Sequence, residues 1–301
     1  MEDWPKVYII VLNWNGWQDT VECLESLRRL SHPNYQIVVI DNGSTDGSVD
    51  KIKAWAKNSS LVLLETGKNL GYAGGNNVGL RYALSRGDFG YAWVLNNDTV
   101  VHPDALTHMV VRMREKPEAG ICGASILQYY YPDKIDTIGG SKYDRWFAQA
   151  FGLESGKKFD FGHPEKYQKL ERKMDYVAGS STLVSRQFLL DIGLLCEDYF
   201  LFFEEIDWAT RARGRYQLTL APKSIIYHKG GASVGKNSKA SRFSTVFDFY
   251  NTKNRLAFSS KFYPYVLPFL YLSILGYIID RLRIGAFENA RVIARAAFNR
   301  F

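Results

Sequence analysis

Val7-Tyr8-Ile9-Ile10-Val11-Leu12-Asn13-Trp14-Asn15-Gly16 opens the regular part of the chain with six apolar residues and then a polar turn. A short continuous apolar run rich in β-branched residues is the pattern of a strand buried on both faces. Tyr35 to Asp41, Leu61 to Thr66 and Tyr91 to Leu95 read as further strands. Between them, Trp17 to Leu30, Ser48 to Lys57 and Gly75 to Arg86 read as helices. Val21, Leu24, Leu27 and Arg28 recur at three-to-four spacing, and Gly, Ser or Asp marks the helix ends. Such alternation predicts βαβ units and an α/β fold with a mostly parallel, Rossmann-like central sheet and flanking helices. The polar motifs fall at the carboxyl ends of the strands, the edge at which open α/β sheets bind ligands.

Farther along, Gln128 to Asp175 is rich in aromatic, Gly and Lys residues and reads as an insertion lining a pocket rather than a sheet layer. Regularity returns with a strand at Tyr176 to Val184, a helix from about Glu204 to Arg213 and a strand at Ser224 to His228. Gly230 to Ser241 then reads as a loop. After it, Phe262 to Ile279 is an aromatic and aliphatic run of 18 residues broken by Pro264 and Pro268 and followed by Arg281 and Arg283. A bilayer-spanning helix needs roughly 20 apolar residues, so an interfacial helix is the better reading. The alternative is a helical hairpin packed on the catalytic domain. The expected organisation is a catalytic domain over 1–243, with a nucleotide-binding half 1–127 and an acceptor half 128–243, and a helical membrane-associating tail over 244–301.

Composition narrows the class. The 301 residues are 46% hydrophobic, enough for one large domain with an appendage, and carry a net charge of +7 with a pI near 9.1. Six Lys and Arg against Asp280 and Glu288 from Lys261 onward favour an anionic membrane surface, not nucleic acid, as the partner of that charge. Cys23, Cys122 and Cys196 are far apart and odd in number, which indicates neither a disulfide framework nor structural zinc. With no signal-peptide pattern after Met1, the catalytic domain is expected in the cytoplasm, peripheral on the inner face of the cell membrane.

Four motifs carry chemistry. Ile40-Asp41-Asn42-Gly43-Ser44-Thr45-Asp46-Gly47 follows the second strand; Asp41 there can accept hydrogen bonds from a nucleobase or ribose, whereas Ser44 and Asp46 suit a turn and helix cap. Gly71-Tyr72-Ala73-Gly74-Gly75-Asn76-Asn77-Val78-Gly79 lacks the dinucleotide spacing and follows the third strand, which argues against a dehydrogenase, but its glycines permit close approach to a diphosphate. Trp93-Val94-Leu95-Asn96-Asn97-Asp98-Thr99 ends an apolar strand in oxygen ligands suited to Mg2+ or Mn2+, with Asp98 as the direct ligand candidate and Asn96 acting through a neutral amide or water. Phe203-Glu204-Glu205-Ile206-Asp207-Trp208 sets three carboxylates at a helix start, where the ionised form needed by a general base is favoured. Glu204, Asp207, Trp208 and Arg211 share one helical face and Glu205 is turned from them, so the adjacent acids have different tasks. His228 at the end of a late strand completes a metal site in this reading, and Lys229, Lys236, Lys239 or Arg242 closes over the diphosphate as a lid.

In this order the motifs, with Tyr250-Asn251-Thr252-Lys253-Asn254-Arg255, resemble glycosyltransferase family 2 and its rhamnosyltransferase-like branch, over roughly Val7 to Leu256. The resemblance implies the GT-A fold and an inverting transferase using a divalent cation. It moves a sugar from dTDP-rhamnose or a UDP-hexose to a lipid-linked or cell-surface polysaccharide acceptor. It implies that Asp41 holds the base, that Asp98 and His228 hold the metal, and that Glu205 is the general base, with Glu204 as an alternative. Asn13, Asn15, Gly74, Asn76, Asn77, Asn96 and Asn97 are expected around the nucleotide sugar, and Trp208, Asp207 and Trp146 around the acceptor. The sequence departs from the family in Asn96-Asn97-Asp98, where Asp-x-Asp is usual, and in Glu204-Glu205, where Glu-Asp is usual. Processive members carry Gln-x-x-Arg-Trp after the acidic motif; Arg145-Trp146 precedes it and has Lys142 at the Gln position, which implies a single addition. Association of copies through the C-terminal segment is a further expectation. The competing readings are a metal-dependent sugar nucleotidyltransferase and a non-catalytic nucleotide- or glycan-binding module. The former is disfavoured because Asn13-Trp14-Asn15-Gly16 lacks a basic residue.

Overall fold

The computed structural model describes residues 4–57, 60–162, 164–230 and 244–298. Its first half alternates β1 (Val7–Asn13), α1 (Trp17–Leu27), β2 (Tyr35–Asp41), α2 (Ser48–Ala56), β3 (Val62–Glu65), α3 (Gly71–Arg86) and β4 (Tyr91–Asn96). The apolar runs form strands because both of their faces are covered. Val7, Ile9 and Val11 pack with Leu24, Leu27 and Ile52 on one side of the sheet, and Tyr8 and Ile10 with Leu80 and Ala83 on the other. α3 begins a turn earlier than the sequence pattern predicts, so its glycines lie inside the helix. An added Cβ at Gly75 would overlap Leu12 Cδ1, and one at Gly79 would stand 2.7 Å from Ile10 Cγ2. These two glycines let α3 lie close on β1.

The chain continues through β5 (Thr99–Val101), α4 (Ala105–Glu115), β6 (Ala119–Gln128), β7 (Tyr131–Ile138), β8 (Gly140–Asp144), β9 (Gln149–Gly152), α5 (Pro164–Lys173), β10 (Tyr176–Val177), β11 (Ser181–Ser185), α6 (Arg186–Ile192), α7 (Glu204–Ala212) and β12 (Gln217–His228). The main sheet runs β3-β2-β1-β4-β11-β6-β12-β5, with β7 paired to β6. It is parallel from β3 to β4 and mixed beyond, because β11 lies antiparallel between β4 and β6. The segment read as an insertion is instead largely sheet: β7 joins the main sheet, and β8 lies between β9 and β10 in a second sheet. The single strand predicted over Tyr176 to Val184 is split between the two sheets by a turn at 178–180.

Register sets the ligand edge. Asn13 lies opposite Asp41, Asp41 opposite Glu65, and Leu12 opposite Asn96, so the polar ends of four strands finish level. β5 pairs with the end of β12, with His228 opposite Thr99.

α8 (Thr245–Phe262), α9 (Leu267–Arg283) and α10 (Phe287–Phe298) close the fold. Phe258 of α8 packs with Tyr199 and Ile206 of the acidic-motif region, while Leu270 and Ile274 of α9 pack with Ile293 of α10. Asp248 ties the three helices together, accepting from Tyr277 Oη at 2.9 Å, Arg281 Nε at 3.1 Å and Asn289 Nδ2 at 2.7 Å.

Candidate active site

The turn after β2 is organised around Asp41, which is buried. Its Oδ2 accepts from Asn13 Nδ2 at 2.8 Å and its Oδ1 from the Ser44 amide at 2.9 Å. Asn13 is itself fully buried and accepts from Thr20 Oγ1 at 2.8 Å. It therefore holds Asp41 in place from within the packed turn. Asn15 takes a left-handed φ of 51° and accepts the Thr45 amide at 2.8 Å, tying the two turns together. Asn97 does the same from the β4 side, donating to Thr20 Oγ1 at 3.0 Å, while Asn96 is half-buried and its backbone N–H donates to the Ser180 carbonyl at 3.1 Å.

The expected diphosphate cradle on α3 divides in the same way. Asn77 donates to the Leu195 carbonyl at 2.9 Å and to Glu197 Oε1 at 2.8 Å, and accepts the Leu195 amide. Both ends of its amide are occupied, so it is a strut between α3 and the 195–197 segment and not a donor contact. Gly74 sits in the helix with its Cα facing Leu70, where an added Cβ would stand 2.9 Å from Leu70 Cβ. Asn76 donates to the Tyr72 carbonyl at 3.0 Å, and its buried Oδ1 has no partner.

Asp98 and His228, far apart in sequence, meet through the β5 and β12 pairing. His228 Nε2 lies 3.3 Å from Asp98 Oδ1 without hydrogen-bond alignment, leaving that buried oxygen unpartnered. On its other side His228 Nδ1 stands 3.0 Å from Asp136 Oδ2 of β7. Burial works against a charged imidazole here, but the carboxylates of Asp136 and Asp98 outweigh it and raise the His228 pKa to about 9. Burial likewise works against an ionised Asp98, and His228 more than offsets it, so the Asp98 pKa is lowered. Asp98 and His228 would hold a hard divalent cation on these facing atoms once the cation displaces the proton that the two carboxylates otherwise keep on the imidazole, with Asp136 as the outer carboxylate that orients the ring. Among the described residues no group of three or more His, Cys, Asp and Glu side chains forms a larger ligand cluster. Remaining coordination positions would fall to ligand oxygens and water.

The acidic motif approaches this site from the other side of the turn at 178–180. Phe202 and Phe203 both have left-handed backbones, with φ of 69° and 77°, immediately before α7. Bulky residues there store about 1–3 kcal/mol each. The carbonyls of Leu201 and Phe202 are held by Asn254 Nδ2 of α8, at 2.8 and 3.0 Å. Glu204, 2% exposed, has an unpartnered Oε2. Its pKa is pushed well above the usual carboxylate range, first by burial and then by the Glu205 charge. Glu205 is also raised, by burial, but its own backbone amide and the Glu204 side chain hold it down. Glu204 is the more strongly raised of the two, so Glu205 is the member that gives up its proton first. A Cβ at Gly179 would overlap Glu205 Oε1, so that glycine makes room for the carboxylate.

Glu205 lines a cavity of about 850 Å³ between the catalytic domain and the C-terminal helices, walled also by Tyr143, Tyr176, Phe202, Arg255 and Tyr277. Trp208 and Asp207, expected at the acceptor, are elsewhere. Trp208 is buried against Phe188 and its indole donates to the Gly193 carbonyl at 2.8 Å. Asp207 is fully buried and holds Arg211 at 2.6 Å and Lys261 at 2.7 Å. One helical face cannot both pack the core and meet a substrate, and α7 turns that face inward. Trp146 is half exposed, edge-on to Tyr265 and Phe269. Lys229 is not a lid cation: its Nζ bonds Asp19 and Glu22, which raise its pKa against the effect of burial. Lys236 lies outside the described residues, as do Lys239 and Arg242.

The profile of glycosyl transferase family 2 matches residues 8–193. The chain belongs to this family and is a glycosyltransferase. The low-salt glycan biosynthesis hexosyltransferase of Haloferax volcanii is 24% identical over 243 residues, 81% of this chain and 73% of that protein. The N-acetylglucosaminyl-diphospho-decaprenol L-rhamnosyltransferase of Mycobacterium tuberculosis is 25% identical over 234 residues, 71% of this chain and 73% of that one. Among solved structures, a Pyrobaculum calidifontis mannosyltransferase in complex with GDP-Man and Mn2+ aligns with a TM-score of 0.58 at 18% identity, over 99% of this chain and 76% of its own. GalNAc-T7 with UDP, GalNAc and Mn2+ aligns with a TM-score of 0.60 at 14% identity, over 76% of this chain and 44% of its own. These two likenesses establish the GT-A fold.

Within that frame, three residues with no role expected from the sequence stand at the centre of the site. Tyr72 donates to the Gly179 carbonyl at 2.6 Å, and its pKa is raised first by burial and then by the charges of Glu205, Glu204 and Asp98. It is the point at which the acidic motif and the metal motif converge. Asp136 and Asn254 are the others; Asp136 lies in no motif of the sequence, and Asn254 lies in the motif over 250–255, far in sequence from the turn it holds.

Proposed function

We propose that this chain is an inverting, single-addition glycosyltransferase in which Glu205 is the general base. The donor is a UDP- or dTDP-sugar and the acceptor a lipid-linked or cell-surface glycan. One observation carries the assignment: of two adjacent acids, Glu204 is sealed in the core and Glu205 is the one that lines the large cavity. In a one-step displacement Glu205 takes the acceptor hydroxyl proton as that oxygen bonds to the anomeric carbon. The bond from that carbon to the nucleoside diphosphate breaks, inverting the centre. Asp41 orients the nucleotide. A divalent cation held by Asp98 and His228 would neutralise charge on the departing diphosphate. The Mn2+ in the two GT-A neighbours supports that choice of cofactor, and the Mycobacterium rhamnosyltransferase's name supports a lipid diphosphate acceptor. The exposed stripe Phe269, Leu272, Leu275, Ile279 and Leu282 on α9 supports attachment to the cytoplasmic membrane surface.

The test is a panel of nucleotide sugars with Mn2+, comparing the wild-type chain with Glu205→Gln and Asp98→Ala. Donor turnover by the wild type and its loss in both variants is the expected result. Absence of any turnover, or unchanged turnover in the variants, would overturn it.

A further inference from the structure

Arg255 on α8 is 3% exposed, and among the described residues no carboxylate stands within ion-pair distance of it. Its Nη2 donates to the Phe147 carbonyl and, at 3.2 Å, to Ser273 Oγ, while its buried Nε has no partner. Elsewhere the buried Arg281 is paired with Asp248, and the half-buried Arg211 with Asp207. A charge buried without a counter-ion is strongly unfavourable unless something anionic completes it. Arg255 sits in the wall of the cavity that contains Glu205. Arg283 of α9 is in the same wall, 75% exposed and engaged only loosely, at 3.9 Å, by the equally exposed Asp280. Phe202, Phe247 and Ile279 make the apolar part of the wall, and Ile279 belongs as well to the exposed stripe of α9. A buried cation, an outer cation and an apolar surface leading out of the cavity suit one class of ligand, an amphiphile with a phosphate head and a hydrocarbon chain.

We propose that this cavity is the acceptor site for a lipid phosphate, with the phosphate on Arg255 and Arg283 and the chain leaving past Ile279 along α9. The acceptor role rests on Glu205 being the base, since the sugar carried by the lipid phosphate would then present its hydroxyl to Glu205; the phosphate site itself does not depend on that.

Calorimetric titration of the full-length protein in EDTA, which excludes cation-dependent binding at the donor site, separates the two. The probes are farnesyl phosphate, farnesol and inorganic phosphate. Farnesyl phosphate is expected to bind at least about tenfold more tightly than either alone, and Arg255→Gln to weaken it by roughly 10- to 100-fold, the worth of a charge-assisted contact. Arg283→Gln, a change at an exposed side chain, should weaken it severalfold, and it decides the question if Arg255→Gln proves unfolded by circular dichroism. Arg255→Lys should restore part of the affinity. Equal binding of farnesol or of inorganic phosphate overturns the lipid phosphate assignment, as does wild-type affinity in folded variants. Donor turnover without any preference for farnesyl phosphate sinks this site and leaves the transferase reading standing. Preference for farnesyl phosphate without donor turnover keeps the site and removes the transferase reading.

Discussion

Glu204 and Glu205 are neighbours on α7 that face different surroundings, one sealed in the core and one open to the cavity. Both are raised above the ordinary carboxylate pKa, and a general base must be ionised. Activity should therefore fall as pH drops through a value above the usual glutamate range, and stay level above it until another group titrates. Glu205→Gln should lower kcat by about 10²- to 10⁴-fold. Glu204→Gln keeps a donor beside Glu205 and should cost less than about tenfold; a larger loss in Glu204→Gln than in Glu205→Gln would reverse the assignment. Gly179→Ala places a methyl on the Glu205 carboxylate, so kcat should fall by up to about 10²-fold with the melting temperature little changed. At the second motif, Asp136→Asn removes the charge that orients His228 and should weaken Mn2+ about 10- to 100-fold by calorimetry, without affecting the melting temperature in EDTA. Equal Mn2+ affinity would place Asp136 outside the metal's surroundings. None of these partners was legible from spacing: the Glu-Glu pair marked a candidate base, but only the packed surroundings show which member is sealed in the core and which lines the cavity.

At the level of elements, the strained turn before α7 is the part of the site most exposed to failure. Two consecutive phenylalanines with positive φ persist because α8 holds the Leu201 and Phe202 carbonyls through Asn254. Asn254→Ala leaves those acceptors unsatisfied, and should cost about 1–3 kcal/mol in urea unfolding and lower kcat more than it changes the donor KM. Equal stability and unchanged kcat would show that the turn holds itself. β1 and β2 were legible to the residue because their apolar runs are bounded by polar turns and buried on both faces. β6, the long strand near the sheet's centre, was not: Ala119-Gly120-Ile121-Cys122-Gly123-Ala124 is too small and glycine-rich to show a strand pattern. Gly123 is needed there because a Cβ would overlap the Gly139 carbonyl. The β7 to β9 segment was misread for a related reason, since its exposed aromatic residues break the alternation expected of a strand with one buried face.

Across the whole molecule, the C-terminal helices both wall the cavity and carry an apolar outer face. Within the 20-residue segment Pro264–Arg283, the most apolar stretch of 18 residues has a mean hydropathy of 1.4 and 22% of it is buried, with Leu270 and Ile274 turned inward and Leu272 and Leu275 outward. Each outward leucine is worth about 1.5–3 kcal/mol when it enters an apolar phase. Replacing Leu272 and Leu275 by Asp should lower co-sedimentation with phosphatidylglycerol vesicles by at least about tenfold; equal sedimentation of the variant, or none by the wild-type chain, would remove the membrane attachment. By itself the sequence determined the βαβ half, the strand-edge position of Asp41 and Asp98, the acid pair and the family. Those are local facts, written in runs of apolar residues and in the turns that end them. Only the tertiary structure decided that Asn13 and Asn77 are struts, that Trp208 and Asp207 belong to the core, that Asp136 backs His228, and that Arg255 lines the cavity of Glu205 without an acid in ion-pair distance. Each depends on contacts between residues distant in the chain, and burial and charge compensation exist only once those residues are packed together.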